Sequence, residues 1–262
     1  ETGGKDYANR AAGTLMNSLA DSLVSKDGKV GGVLLDIGAG DGQVTKQLQP
    51  LFDAVVATEA SPFMERRLRQ RSFDATVATV DLSEAVSVAK EALAKKPELN
   101  FDGRFKCIAL LNLIDRCDRP LTLLREVKSM LLPDGKILLA VVVPFRPFVE
   151  KGKRKITPSE KVALPRNAGW EMSVQLLVER VFTPLGLQVE RVARVPYYSS
   201  GSHVHPIYFL DDAVFVLSPM PENDDGVSNV SANNSLLSEE ALARRTQEVN
   251  GIDEAQSRQN LQ

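Results

Sequence analysis

Short apolar runs alternate with helical patterns along the middle of the chain, and this alternation predicts an α/β fold with a mostly parallel sheet. The early runs are almost wholly apolar, which is typical of strands buried on both faces. Two later runs alternate apolar and polar residues more, which indicates an antiparallel pair towards the C-terminal end. The predicted seven-stranded sheet has its strands at residues 33–37, 54–58, 75–80, 105–111, 137–143, 187–195 and 213–217.

Helical patterns fill most of the gaps between these strands and predict helices on both faces of the sheet. These helices lie at residues 44–51, from 61 onward, at 120–131 and at 170–182, and residues 145–168 are predicted to be an inserted loop. Residues 1–30 are predicted to be an N-terminal helical segment, since leucines recur there at the spacing of one helix face. Residues 31–218 then form one domain, and the polar residues 219–262 are predicted to be a disordered tail.

Composition narrows the range of partners. The 262 residues carry a formal net charge of −2, which argues against nucleic-acid binding because that function needs a basic excess. No apolar run approaches the roughly 18 residues of a membrane-spanning helix. Two cysteines make neither a disulfide framework nor a structural zinc site, so we predict no metal. We expect an intracellular monomer, and the sequence does not distinguish cytoplasm, endoplasmic reticulum and mitochondrion.

The run from Asp36 to Gly42 is predicted to be a ligand-binding turn between the first strand and the next helix. Gly38, Gly40 and Gly42 permit a tight turn and a close approach of a ligand to the backbone. The third glycine is at position 42, whereas the dinucleotide-binding pattern G-x-G-x-x-G would require it at position 43. The carboxylates of Asp36 and Asp41 would repel a pyrophosphate, so a cationic ligand such as S-adenosylmethionine fits better.

Acidic residues also end the next two predicted strands. Glu59 follows the second strand, where its carboxylate can accept hydrogen bonds from both hydroxyls of a ribose. Asp81 ends the third predicted strand, where it can meet an adenine amino group. Asp36, at the mouth of the first strand, can hold an ammonium group.

Together these acids, the glycine turn and the Leu-Pro-Asp-Gly turn at 132–135 resemble class I methyltransferases over residues 30–143. The resemblance implies a Rossmann-like fold. It also implies S-adenosylmethionine as the cofactor, with S-adenosylhomocysteine as its product.

A second set of runs is more specific. The run Asn-Leu-Ile-Asp-Arg-Cys-Asp at 112–118 is unusual, and further characteristic runs occupy residues 35–42, 57–59, 120–124, 144–147, 194–197 and 210–215. Over residues 30–218 these runs resemble the DREV family, the methyltransferase-like nine family of protein-histidine N-pros methyltransferases. The chain departs from the family pattern in the stretch 75–104, in the loop after 147 and in its polar tail.

This resemblance implies an acceptor and assigns roles by position. Family members methylate the pros nitrogen of histidine in His-x-His sequences in which x is small, so the implied partners are proteins with such sequences. Glu59, Asn112 and Tyr197 match residues that contact the cofactor. Asn112, Asp115 and Tyr208 match residues that hold the acceptor imidazole. From the sequence alone, simple packing of the C-terminal strands explains the two tyrosines equally well.

The chemistry of methyl transfer supports a role for Asp115 independently. The accepting nitrogen needs a free lone pair, so the imidazole must be neutral and carry its proton on the other nitrogen. A carboxylate that accepts the tele N–H fixes this tautomer and stabilises the imidazolium that forms. Asp115 lies just past the fourth strand, at the sheet edge where ligands bind, and Asp118 is predicted to cap the next helix.

Other interpretations stay open at this point. The acceptor can instead be a small molecule, which a closed apolar pocket would favour, or the chain can be a non-catalytic cofactor-binding module. The two histidines form the sequence His203-Val204-His205, itself a His-x-His. It can serve self-methylation or metal binding, or simply be a polar loop beside the active site. We favour the loop because no further ligand cluster is evident.

Overall fold

The computed structural model describes residues 28–79, 81–152, 154–165, 167–200 and 207–221, with only the backbone described at 197–200 and 207–208. The predicted disordered tail beyond residue 221, most of the predicted N-terminal helical segment, and the pair His203 and His205 lie outside the described residues. Apart from Pro221, the described residues belong to the unit Glu1–Met220.

A seven-stranded sheet dominates this unit, in the order β3-β2-β1-β4-β5-β9-β8. Its parallel part and the separate hairpin that follows comprise β1 (Val33–Ile37), β2 (Ala54–Thr58), β3 (Ala75–Val77), β4 (Phe105–Leu111), β5 (Leu131–Val142), β6 (Val149–Lys151) and β7 (Arg154–Ile156). β8 (Leu187–Ser200) and β9 (Ile207–Pro219) add an antiparallel pair beside β5. This arrangement confirms the predicted α/β fold.

Helices cover both faces of the sheet. They are α1 (Gln43–Leu48), α2 (Pro62–Leu68), α3 (Leu82–Leu93), α4 (Pro120–Ser129) and α5 (Trp170–Leu177), the last continued by a π-helical segment, Val178–Phe182. Successive residues of a strand point to opposite faces. Leu34 therefore packs in one apolar cluster with Leu48 of α1, whereas Leu35 packs in another with Leu124 of α4. Within the described ranges, no helix is long and apolar enough to cross a membrane.

Two predicted boundaries in the parallel part were wrong. β3 ends at Val77 rather than at residue 80, and α3, which the sequence pattern left unassigned, begins soon afterwards. β5 begins at Leu131, because the predicted turn at 133–135 is taken up within the strand as a bulge. Phe105 pairs with Leu131, whereas Cys107 pairs with Lys136.

The C-terminal half also contains more strand than the sequence predicted. β8 and β9 each extend far beyond the predicted 187–195 and 213–217, so the segments holding Tyr197 and Tyr208 are strand rather than connector. The predicted loop at 145–168 contains the β6–β7 hairpin, whose short and charged strands carry little apolar pattern. Both differences arise from pairing between neighbouring strands beyond the apolar runs that the sequence pattern shows.

Two glycines of the turn after β1 differ in the room that the structure leaves for a side chain. Gly40 and Gly42 both have left-handed backbones, with φ of 59° and 73°. A Cβ at Gly42 would lie 2.7 Å from Leu68 Cδ1 and 2.9 Å from Phe73 Cε2, whereas a Cβ at Gly40 would meet nothing within 4 Å. Gly42 is thus required by packing as well as by conformation.

We therefore expect Gly42→Ala to lower the free energy of unfolding by about 2–4 kcal/mol, from backbone strain plus overpacking. Gly40→Ala serves as the matched control and should cost only about 1–2 kcal/mol, from strain alone. Denaturant unfolding of both variants measures the difference. Equal losses would show that the left-handed backbone, and not the contact with Leu68 and Phe73, sets the requirement.

Candidate active site

The carboxyl ends of the parallel strands converge on one edge of the sheet. β1 lies between β2 and β4. After β1 the chain adds β2 and β3 on one side of it and then crosses to add β4 on the other side. Ligands bind in the crevice outside such a switch point. Asp36, Glu59 and Asn112 lie at or just beyond the carboxyl ends of β1, β2 and β4, so the strand order brings all three to this edge.

The cofactor half of this edge is built around the glycine turn. The Glu59 carboxylate accepts hydrogen bonds from the backbone N–H of Gly40 at 2.8 Å and of Ser61 at 2.7 Å. These bonds fix the carboxylate against the turn. Each of its oxygens has a second lone pair with which it can accept a hydroxyl of a ligand.

Asp36 is almost completely buried beside this turn, with only 1% of its surface exposed. Its Oδ2 accepts a hydrogen bond from the Thr45 hydroxyl of α1 at 2.6 Å, while its Oδ1 meets no hydrogen-bond donor in the described part of the chain. Burial raises the pKa of Asp36 to about 6, the Thr45 bond opposes this rise, and the charge of Glu59 adds to it. A cation bound here would favour the ionised carboxylate.

Asp81 does not end a strand, contrary to the prediction. The apolar run at 75–80 suggested a longer strand, but β3 stops at Val77 and Asp81 is the exposed N-cap of α3. Its Oδ1 accepts hydrogen bonds from the backbone N–H and the hydroxyl of Ser83, and these bonds lower its pKa. Asp81 lines a groove with Gly103 and Met130, which precede β4 and β5 at the amino ends of the strands.

The acceptor half of the edge begins at Asn112, the first residue after β4. Asn112 has a left-handed backbone with φ of 56°, a conformation that Asn tolerates better than most residues. Its backbone N–H bonds to the Ala140 carbonyl of β5 at 2.8 Å, and its Nδ2 donates to Asp212 Oδ2 at 2.8 Å. Leu113 contacts the glycine turn at Gly38, so the two halves of the edge are neighbours.

Asp115 is buried in the same segment, with 2% of its surface exposed. Its Oδ2 lies 3.1 Å from the Arg116 guanidinium, whereas no donor from the residues that the structure describes reaches its Oδ1. Burial raises the pKa of Asp115, and the Arg116 charge opposes that rise. The Arg116 guanidinium in turn stacks on Phe148 at 4.0 Å from the ring centroid, and Lys155 lies over that ring at 4.1 Å.

The segment after β5 is attached to this acceptor loop at several points. The Phe148 N–H donates to the Asp115 carbonyl at 3.0 Å. Asp118 was predicted to cap α4, but it bonds Ser159 instead, and Glu160 accepts from the backbone N–H groups of Leu121 and Thr122. The predicted cap was wrong because the competing partner comes from a segment distant in sequence.

The sequence interpretation missed Asp212, which lies in β9 opposite Val142, the last residue of β5. Asp212 is 4% exposed, and its Oδ1 is buried without a hydrogen-bond donor. Burial raises its pKa to about 7; the Asn112 bond opposes this, and the nearby charges of Asp115 and Asp211 add to it. A carboxylate at the start of the apolar run 213–217 was the available signal. Tyr197 pairs with Leu210, and Tyr208 with Ser199, on these same two strands.

Three carboxyl groups at this edge therefore each keep one buried oxygen that no donor reaches within the part of the chain described. Burying an acceptor without a donor is costly. A ligand that brings N–H groups and positive charge would relieve this cost. The ammonium and sulfonium of S-adenosylmethionine meet this requirement at the cofactor half, and an imidazole N–H meets it at Asp115.

A seven-stranded sheet of this order, a glycine turn after β1 and a carboxylate after β2 define a class I S-adenosylmethionine-dependent methyltransferase. The model of the DREV methyltransferase family matches residues 19–219. The chain therefore belongs to the DREV methyltransferase family.

Solved structures that are similar to this chain share little of its sequence. A complex of DhpI with SAH is 19% identical with a TM-score of 0.47, over 83% of this chain and 95% of that one. The N-methyltransferase NodS from Bradyrhizobium japonicum WM9 is 16% identical with a TM-score of 0.45, over 82% of this chain and 98% of that one.

If Glu59 holds the cofactor ribose, Glu59→Gln should weaken S-adenosylhomocysteine binding by about 10–100-fold, the loss expected from one or two hydrogen bonds to a charged acceptor. Titration calorimetry measures the affinity. Glu98→Gln, at an exposed residue of the Pro97–Leu99 turn, is the matched control and should bind as the parent chain does. Unchanged affinity in a folded Glu59→Gln protein would remove Glu59 from the cofactor site.

Proposed function

We propose that this chain is a protein-histidine N-methyltransferase that methylates the pros nitrogen of histidine in His-x-His sequences of other proteins. One observation carries the proposal. Asp115 is a buried carboxylate at the carboxyl edge of the sheet, with one oxygen held by Arg116 and the other without a donor. A neutral imidazole offers the N–H that this oxygen needs, on the side opposite its nucleophilic lone pair.

The cofactor would occupy the neighbouring half of the edge and supply a methyl group carried on a sulfonium. Glu59 would accept the ribose hydroxyls, and Asp36 would face the ammonium group. The full set of proposed cofactor contacts is Asp36, Gly38, Gly40, Glu59, Asn112 and Tyr197. Asp81 is left out of this set because its carboxylate caps α3.

The residues of this chain would act by orientation and charge. Asp115 accepts the tele N–H, which leaves the lone pair of the pros nitrogen free to form the new N–C bond. As that bond forms and the S–C bond breaks, positive charge develops on the imidazole, and Asp115 stabilises it. Asp115 can then take the tele proton, and the raised pKa of its carboxyl favours that transfer.

The positioning of the two reactants supplies the rest of the rate acceleration. Well-positioned reactants can gain up to about 7–11 kcal/mol from proximity. Arg116, held over the Phe148 ring, keeps the Asp115 carboxylate in one place. We propose Tyr208 as a further contact to the imidazole, by its match to the family position. The partners would be proteins with His-x-His sequences, and the enzyme would act as a monomer.

Methylation of His-x-His peptides with small x tests this function. We expect the parent chain to methylate the peptide at a pros nitrogen, assigned by NMR of the product, and to leave a peptide without histidine unmodified. Asp115→Asn keeps the shape but removes the charge, so turnover should fall at least about 100-fold, while S-adenosylhomocysteine still binds.

Asp118→Asn is the matched control, because Asp118 bonds Ser159 outside the proposed site, and it should keep full activity. A chain that binds the cofactor but methylates no histidine peptide would contradict the proposed acceptor and favour a small molecule. Loss of both cofactor binding and turnover in Asp115→Asn would contradict the assigned role.

A further inference from the structure

Asp212 is a buried carboxyl group within the sheet. It pairs with Val142 of β5 on one side and with Val195 of β8 on the other, close to the carboxyl end of β5. Residues 213–217, which follow it on β9, are apolar and buried. A charged group in such surroundings needs polar partners.

The described partner of Asp212 is the Asn112 amide, through the 2.8 Å bond from Nδ2 to Oδ2. A carboxylate offers only acceptors, so the amide nitrogen must face Asp212 and the amide oxygen must point the other way. The left-handed backbone of Asn112 and its N–H bond to Ala140 fix the backbone position from which the side-chain amide extends. The bond to Asp212 therefore turns the side-chain amide oxygen of Asn112 away from β9.

Asp212 also lies near Asp115, whose charge raises the pKa of Asp212. Among the described residues, no hydrogen-bond donor reaches one buried oxygen of each carboxyl group, and Arg116 pairs with Asp115. The side chains that converge here thus present acceptors to a ligand: two carboxyl oxygens and, through Asp212, an amide oxygen. A ligand atom that carries hydrogen fits this place, and one that carries only lone pairs does not.

We propose that Asp212 is a positioning residue that turns the Asn112 amide oxygen towards the methyl acceptor, so that the site selects a neutral nitrogen heterocycle with an N–H. This inference rests on the proposed function, because the acceptor is taken to be an imidazole. Asp212 acts through Asn112 and need not contact the substrate. The arrangement explains why a carboxyl group is kept inside an otherwise apolar strand pairing.

Two substitutions separate this role from simple packing. Asp212→Leu removes the acceptor and should lower kcat/KM for a His-x-His peptide by about 10–100-fold, as loss of a positioning contact does at other sites. Asp212→Asn keeps an oxygen that can accept from Asn112 Nδ2 and should restore most of the activity. Both should still bind S-adenosylhomocysteine. Asp102→Asn, at an exposed residue bonded to Arg104 at the amino end of β4, is the matched control.

A second measurement does not depend on turnover. Imidazole is titrated into the S-adenosylhomocysteine complex while NMR follows the side-chain amide of Asn112. We expect imidazole binding in the parent chain and in Asp212→Asn, and at least about tenfold weaker binding in Asp212→Leu. The shift of the Asn112 amide proton that bonds to Asp212 should change in Asp212→Leu and be kept in Asp212→Asn.

The outcomes are distinguishable. Full turnover and full imidazole binding in Asp212→Leu would overturn the role of Asp212 while leaving the proposed function intact. An Asp212→Leu chain that no longer binds S-adenosylhomocysteine would also overturn it, because Asp212 would then support the fold or the cofactor. A parent chain that methylates no histidine peptide, yet binds imidazole in a manner dependent on Asp212, would refute the proposed function and support this inference.

Discussion

Carboxyl groups buried at the carboxyl edge of the sheet constrain everything else at this site, because each has an oxygen that no donor among the described residues reaches. Asp36, Asp115 and Asp212 are 1%, 2% and 4% exposed, so water does little to compensate them. The protein keeps these groups although burial disfavours their charge. Such an arrangement is stable in its ionised form only when a ligand brings hydrogen-bond donors or positive charge, which a sulfonium nucleotide and an imidazole both do.

The fold supplies the rigidity that this constraint demands. β1, β4 and β5 are central strands paired on both sides, and β9 runs antiparallel beside β5 so that Asp212 meets Asn112 across the strand ends. On the outer side, Phe148 and Arg116 link the segment after β5 to the loop that carries Asp115. Cofactor and acceptor halves touch at Gly38 and Leu113.

The sequence predicted the parallel half of this architecture because buried parallel strands are continuous apolar runs that end in polar residues. Asp36, Glu59 and Asn112 were found in this way. The same reasoning misplaced Asp81, since β3 stops at Val77 and Ala78 and Thr79 do not join it. Asp212 was missed because β9 begins well before its apolar run, and the hairpin of β6 and β7 because its short, charged strands carry little apolar pattern. Pairing of distant segments leaves little trace in local sequence.

Carboxyl ¹³C titration of the aspartates, with and without ligand, tests the central claim most directly. In the free protein the pKa values of Asp36 and Asp212 are raised, to about 6 and about 7. A bound cation favours carboxylate, so S-adenosylmethionine should lower both pKa values, and its affinity should rise with pH across that range. S-adenosylhomocysteine, which lacks the sulfonium charge, should lower them less. Saturation with S-adenosylmethionine that leaves both pKa values unchanged would contradict the account.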